Sequence, residues 1–322
     1  MYISELHIHY LKRQEIDIAR WDECVTRCPM SLIYGLHFYL DHMTGGQWDA
    51  LIAGDYQAVM PLTWRRKYGI RYLAQPAFTQ QTGIFSTSPA TIGDISNFLK
   101  QAARRFSFAE IFLNYDNYTH GLQHRNDIVM SLDKPYFAIA ASYSENHRRN
   151  LRKSTGCHYT TDITITEALA AWHTVHGARN QATLHEEDYR RFDLLCQYME
   201  REKKLILRAA IDDNHQRLAI ALLFRDAQRL YLLQFAALPA GRDKAAGHYL
   251  IDRIIKEFAE QPLLLDFEGS DDPGVARFYL GFGGWPQQYF FWRHNRLPWP
   301  LRLFKSKSPD APAPPLEQDP PE

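Results

Sequence analysis

Asp266, Glu268 and Tyr279 fall within one stretch, "LLLDFEGSDDPGVARFYLGFGG" from Leu263 to Gly284, and their types suit proton transfer. A carboxylate takes a proton from an amine more readily when burial or a neighbouring like charge raises its pKa. A tyrosine hydroxyl gives one to a departing group held within hydrogen-bond reach. Side chains alternate along a strand, so Asp266 and Glu268 share a face if "LLLDFEG" is extended, with Ser270 in line. "GVARFYLGF" then reads as a short helix that carries Tyr279 back toward the strand end. A plainer reading of the same residues is a buried polar network around the Gly269-Ser270 turn, with Tyr279 as a core side chain.

A second group of residues suits anions. "SENHRRNLRKSTG" reads as a short helix, capped by Ser144 and stopped by Gly156. It carries Arg148, Arg149, Arg152 and Lys153, in two i,i+4 pairs of like charge that cost about 0.2–0.5 kcal/mol each. An anionic partner offsets that cost; a solvated face is the alternative. Further on, "GRDKAAGHYL" follows the apolar strand "RLYLLQFAAL" and opens a helix. Ala245, Ala246 and Gly247 are small enough for a phosphate to approach the first backbone N–H groups, with Arg242 and Lys244 beside them.

Other chemistries find little support. Cys24 and Cys28 are four apart, but two more ligands at short spacing are missing, and His173 and His176 lack a third partner, so no metal is expected. The four cysteines in 322 residues do not make a disulfide framework. No Ser-His-Asp pattern, P-loop or dinucleotide glycine run is present. Lys+Arg and Asp+Glu both number 37, so the net charge of +0 favours neither nucleic acid nor an anionic membrane, and any such partner needs a local patch. The start, "MYISELHIHYLKRQEID", lacks the pattern of a signal peptide, and no apolar run approaches the ~20 residues of a membrane span. A cytoplasmic location is the expectation.

These residues need elements to hold them. The first part of the chain reads as strand, helix, helix, three strands, helix, strand, with "DIVMSLD" and "YFAIAA" as further strands. The same order returns after the basic helix, ending in the helix "DKAAGHYLIDRIIKEFAE", the strand "LLLDFEG", the helix "GVARFYLGF" and the strand "QQYFFWRHN". Antiparallel runs interrupted by one crossover helix give a mixed sheet. The expected fold class is therefore α/β (α+β), with two similar domains. Their limits are 1–141 and 157–305, joined by the basic helix at 142–156. The Pro-rich tail 306–322 has little apolar surface to bury and is expected to be disordered.

That order resembles the GNAT acyltransferases, and two such halves joined through a basic helix resemble the FemAB-type arrangement of tandem GNAT-like domains. In motif the resemblance rests on "SENHRRNLRKS" and on the Leu263–Gly284 stretch. It implies an acyl or aminoacyl group passed from acyl-CoA or aminoacyl-tRNA to an amine acceptor. It also implies that a donor lies in a cleft where central strands splay apart. The phosphate loop of the family resembles Arg/Gln-x-x-Gly-x-Gly/Ala; Arg242 and Gly247 match, whereas Ala245 stands where a glycine is usual. Tyr279 matches the general acid. The rival reading is a non-catalytic binding module on a degenerate GNAT scaffold, favoured by Ala245 and by the lack of an evident base; an RNA-associated protein using the basic helix is a third.

Overall fold

A computed structural model describes residues 7–87, 95–180, 184–268, 271–299 and 301–304. The Gly269-Ser270 corner and the Pro-rich tail lie outside the described residues. The described residues fall into two compact units. Asn126–Gln287 forms one, and the described residues up to Arg125 join those from Gln288 to Phe304 in the other.

The first unit begins with β1 (Ile8–Lys12), α1 (Ile18–Arg27) and α2 (His37–Thr44), followed by β2 (Trp48–Ala53), β3 (Ala58–Lys67), β4 (Ile70–Ala74) and the two-residue β5 (Phe85–Ser86). Then come α3 (Ile95–Arg105) and β6 (Phe108–Leu113). Asp17 caps α1 by accepting from the Arg20 N–H, which places Trp21, Cys24 and Val25 on its buried face. "SLIYGLHFYLDHM" is not one helix: a single 3₁₀ turn at Ile33–Gly35 precedes α2. Gly35 sits directly against the Phe85 ring, where a Cβ would clash.

Strands β1 to β4 pair antiparallel in sequence, and β4 then pairs parallel with β6 through the crossover helix α3. The parallel pair parts after Ala74↔Glu110, and the chain's own loop closes the gap. The Gln75 side chain accepts from the Phe112 N–H at 3.1 Å and donates to the Thr79 carbonyl at 2.9 Å. Thr82 then bridges Leu113.

The second unit takes in most of β7 (Gln123–Ser131). It continues through α4 (Tyr136–Ala141), α5 (Glu145–Lys153), β8 (His158–Thr160), α6 (Ile165–Asn180) and α7 (Glu186–Arg201). β9 (Leu205–Ile211), β10 (Arg217–Arg225), β11 (Arg229–Ala237), α8 (Ala246–Phe258), β12 (Leu264–Asp266) and α9 (Pro273–Leu280) complete it. β13 (Trp285–Asn295) carries the chain back to the first unit, where it pairs antiparallel with β6, and α10 (Leu301–Phe304) follows. Within the second unit β8 to β11 are antiparallel, β11 and β12 are parallel, and β12 returns antiparallel to β7. The buried face of α8, Leu250, Ile251, Ile254 and Ile255, packs on Leu230, Leu232 and Leu265.

"YFAIAA" is a helix, not the expected strand. Six apolar residues fit either period, and Pro135 settles the matter: it starts the turn, accepting from the Ala138 and Ile139 N–H groups. Phe137 is 77% exposed while Ile139, two residues on, is buried, so burial does not follow a two-residue alternation. The expected strand "YTTDITI" is likewise short, with pairing confined to His158–Thr160.

Candidate active site

In the second unit, too, parallel strands part. β11 and β12 pair over Arg229↔Leu264 to Tyr231↔Asp266, and β11 runs on to Ala237 paired with β10 but free of β12. Against β10, Tyr231 faces Phe224 whereas Gln234 faces Leu222, so β11 advances three residues where β10 advances two. This bulge re-aims the free half of β11 and takes a backbone group out of the ladder. Gln234 follows it, buried, and neither amide atom has a hydrogen-bond partner.

The loop after β11 leads into α8. Gly241 lies so close to the Leu218 carbonyl that only a glycine fits. Ala245 is left-handed at φ +48° and offers no side-chain cap. The first helical bond is from the Tyr249 N–H to the Ala245 carbonyl, which leaves the N–H groups of Ala246, Gly247 and His248 outside the ladder. Such a terminus favours an anion through its donors and dipole. Of the expected anion residues here, Ala245, Ala246 and Gly247 are buried, Arg242 is exposed, and Lys244 pairs with Asp212 at 3.5 Å.

The basic helix α5 lies against this turn. Ser144 caps it by accepting from the His147 N–H. Asn150 reaches the His248 ring at 3.2 Å, and the Cys157 thiol approaches the Lys244 carbonyl at 3.9 Å, so contacts on both sides of the last α5 turn meet loop 244–248. Arg148 donates to the Ala141 carbonyl and Arg149 to Asn146. Arg148, Arg149, Arg152 and Lys153 are exposed, and no carboxylate among the described residues pairs with them.

The expected proton-transfer residues converge, but in a different setting from the one expected. Asp266 is fully buried; Oδ2 accepts from Arg229 at 2.9 Å and Oδ1 from the Glu268 N–H at 2.9 Å. Arg229, itself 1% exposed, also donates to Gln287. Glu268 takes φ +59°, a left-handed conformation rare for this residue, held by that bond to Asp266. Continuing the β7–β12 register places Asp127 opposite Glu268. Burial, then the charges of Asp266 and Glu268, push the Asp127 carboxyl well above the usual carboxylate range.

Tyr279 is 6% exposed and stacks on Phe267 at 4.5 Å. Burial, then the Glu268 charge, raise its hydroxyl pKa, so it stays protonated.

The space between free β11 and α8 holds rings. Phe278 stacks on Phe235 at 6.0 Å and meets His248 edge-on at 4.9 Å, while His147 lies 4.8 Å from His248. Adjacent helical positions point about 100° apart, so Phe278 faces α8 while Tyr279 faces Phe267. The unstitched gap is thus lined and partly filled by aromatics rather than open. The His147 ring is held from both sides, by Ser144 Oγ at 2.9 Å and the Phe278 carbonyl at 2.8 Å, and burial lowers its pKa. Burial, with His147 as a lesser cause, brings His248 down to about 4.

The residues join two clusters: Asp266, Glu268 and Tyr279 in one, and loop 242–247 with α5 in the other. Sequence reasoning missed Asp127, Arg229, Gln234 and the His147–His248 pair. Their signal was a polar residue inside or beside an apolar run, "NDIVMSL" and "RLYLLQF", which is either costly or functional when buried. Among the described residues no group of three His, Cys, Asp or Glu is placed to hold a metal, and Cys24 and Cys28 are free buried thiols.

Residues 141–275 match the acetyltransferase (GNAT) domain family. The crystal structure of FemX is similar with a TM-score of 0.61 at 14% identity, over 88% of this chain and 96% of that one. A conserved protein of unknown function from Bacteroides thetaiotaomicron VPI-5482 gives 0.53 at 12% identity, over 88% and 99%. The C-terminal domain of a putative lysylphosphatidylglycerol synthetase from Agrobacterium fabrum gives 0.50 at 11% identity, over 90% and 95%. No curated protein sequence matches. The class that these likenesses define is that of the GNAT fold, with the domain match over residues 141–275. The fold of this chain is similar to that of FemX.

Proposed function

We propose that this chain transfers an acyl or aminoacyl group to an amine, with the phosphate-bearing part of the donor at the N-terminus of α8. One observation carries the reading. Past the point where β11 and β12 part, three unladdered N–H groups lie beside a helix with four exposed cations that have no carboxylate partner among the described residues. Fixed donors and cations of this kind suit an anion that must be held while its other end reacts. Acyl-CoA and aminoacyl-tRNA both present such an anion, and both go with the cytoplasmic location expected from the sequence.

In this reading the amine attacks the donor carbonyl, and a backbone N–H freed by the β11 bulge meets the oxyanion. Glu268 takes the amine proton; Asp266 serves to position it through its N–H. Tyr279, kept protonated by burial, gives a proton to the leaving sulfur or oxygen. Calorimetry with acyl-CoA and with aminoacyl-tRNA, followed by turnover with small amines, tests the reading. Binding of either donor that weakens at least about tenfold in Arg149→Glu/Arg152→Glu supports it. Absence of binding to both, in folded protein, removes it.

A second reading, a binding module without turnover, is favoured by the ring-filled gap and by the depth of Tyr279. It predicts donor binding with no product, and no change in either property for Tyr279→Phe.

A further inference from the structure

At one end of the first unit, Lys67, Tyr68, Ile70, Tyr72, Phe108, Leu297 and Leu301 line a groove of about 590 Å³. That is ample for a small-molecule site, and its walls are mostly apolar. Two side chains of a kind that globular surfaces usually hide go with it: Tyr68, in its wall, is 85% exposed, and Trp299, between the lining residues Leu297 and Leu301 in sequence, is 78% exposed.

The segments that build the groove are as one-sided in charge as the whole chain is balanced. No Asp or Glu occurs from Tyr56 to Gly93 or from Pro273 to Pro309. Of their cations, Arg71 pairs with Asp49 and Arg293 with Glu110. Arg66, Lys67, Arg296 and Arg302 are exposed, with no carboxylate partner among the described residues.

We propose that this end of the first unit is an interfacial patch for an anionic lipid bilayer, its groove receiving one hydrocarbon chain. Tyr and Trp rings favour the headgroup level, where an apolar body and a polar tip are both satisfied. Exposed Lys and Arg beside them meet anionic headgroups, and the groove supplies apolar cover for a chain. Single-stranded nucleic acid fits less well. Tyr72 and Phe108 meet edge to face, at 60°, and so offer no flat platform for successive bases. The proposal is independent of the transferase reading.

The test is co-sedimentation of the full chain with vesicles of phosphatidylcholine alone and of phosphatidylcholine mixed with phosphatidylglycerol, across a salt series. Retention by the anionic vesicles that falls with salt is expected. Lys67→Glu/Arg302→Glu lowers that retention at least about fivefold per site. Tyr68→Asn/Trp299→Gln lowers it at every salt concentration, and Asn suits the left-handed turn at Tyr68, φ +50°. Unchanged melting temperatures establish that both variants fold. Should one not fold, brominated lipid quenching tryptophan emission in the native chain, and less in Trp299→Phe, reads the same contact. No retention by anionic vesicles at low salt, equal retention of the folded variants, or retention by single-stranded RNA but not by vesicles overturns the proposal.

Discussion

At the scale of single residues, the candidate site holds ionisable groups that burial drives in opposite directions. Asp127 has its carboxyl pKa raised, so the folded state keeps a proton that the unfolded chain releases above about pH 3.9. Stability from this group is fully present below that pH and declines as pH climbs toward the raised value. His248 behaves in the opposite sense. Its folded pKa of about 4 lies below the ordinary 6.5, so stability is intact above pH 6.5 and drains away as pH falls toward 4. Thermal melts across pH 4 to 8 separate the two. Asp127→Asn is expected to raise the melting temperature most at the alkaline end, and His248→Asn to flatten the acid limb. Melting curves that shift in parallel at all pH values would contradict both assignments. Tyr279→Phe belongs at this scale too: stability within about 0.5 kcal/mol of the native chain, with turnover lost and donor binding kept if the hydroxyl is the acid.

The elements explain why those residues meet. α5 is fixed through His147, whose ring occupies the space where a Gly281 side chain would be, at the end of α9. Gly281→Ala is therefore expected to cost about 1–3 kcal/mol by overpacking. His147→Ala in the same chain should recover part of that loss, and chemical denaturation of the four species of the cycle measures it; strict additivity would mean that the two residues do not share the space. Ser144→Ala removes the α5 cap and the partner of His147 Nδ1, at a cost of about 1 kcal/mol. Both changes should loosen the basic helix from loop 244–248 and weaken anion binding more than they weaken the fold.

At the scale of the whole molecule, a formal charge of +0 conceals separate basic regions, one on α5 and one around the β3–β4 hairpin. Binding at either should weaken with ionic strength, because exposed charges are screened over a Debye length of about 8 Å at physiological salt. The cysteines report on integrity. All four are buried and free, and burial raises their thiol pKa, for Cys24 to about 12. Alkylation followed by mass spectrometry should leave them unmodified in the native chain and modify all four on unfolding. Rapid modification of Cys157 alone would mean that loop 244–248 opens locally.

Local pattern determined a good deal by itself. Apolar periodicity marked α8, β11 and the strand of Asp266, and the Ser144 cap marked the start of α5, because these signals act within a turn or two of chain. Packing over long sequence separations decided the rest. It brought Arg229 and Asp127 to Asp266 and Glu268, turned Phe278 rather than Tyr279 toward α8, and joined residues near 68 to residues near 300 in one groove. Burial, and with it the charge state of each of these groups, arises when distant segments exclude water from one another, and neighbours in sequence do not encode that.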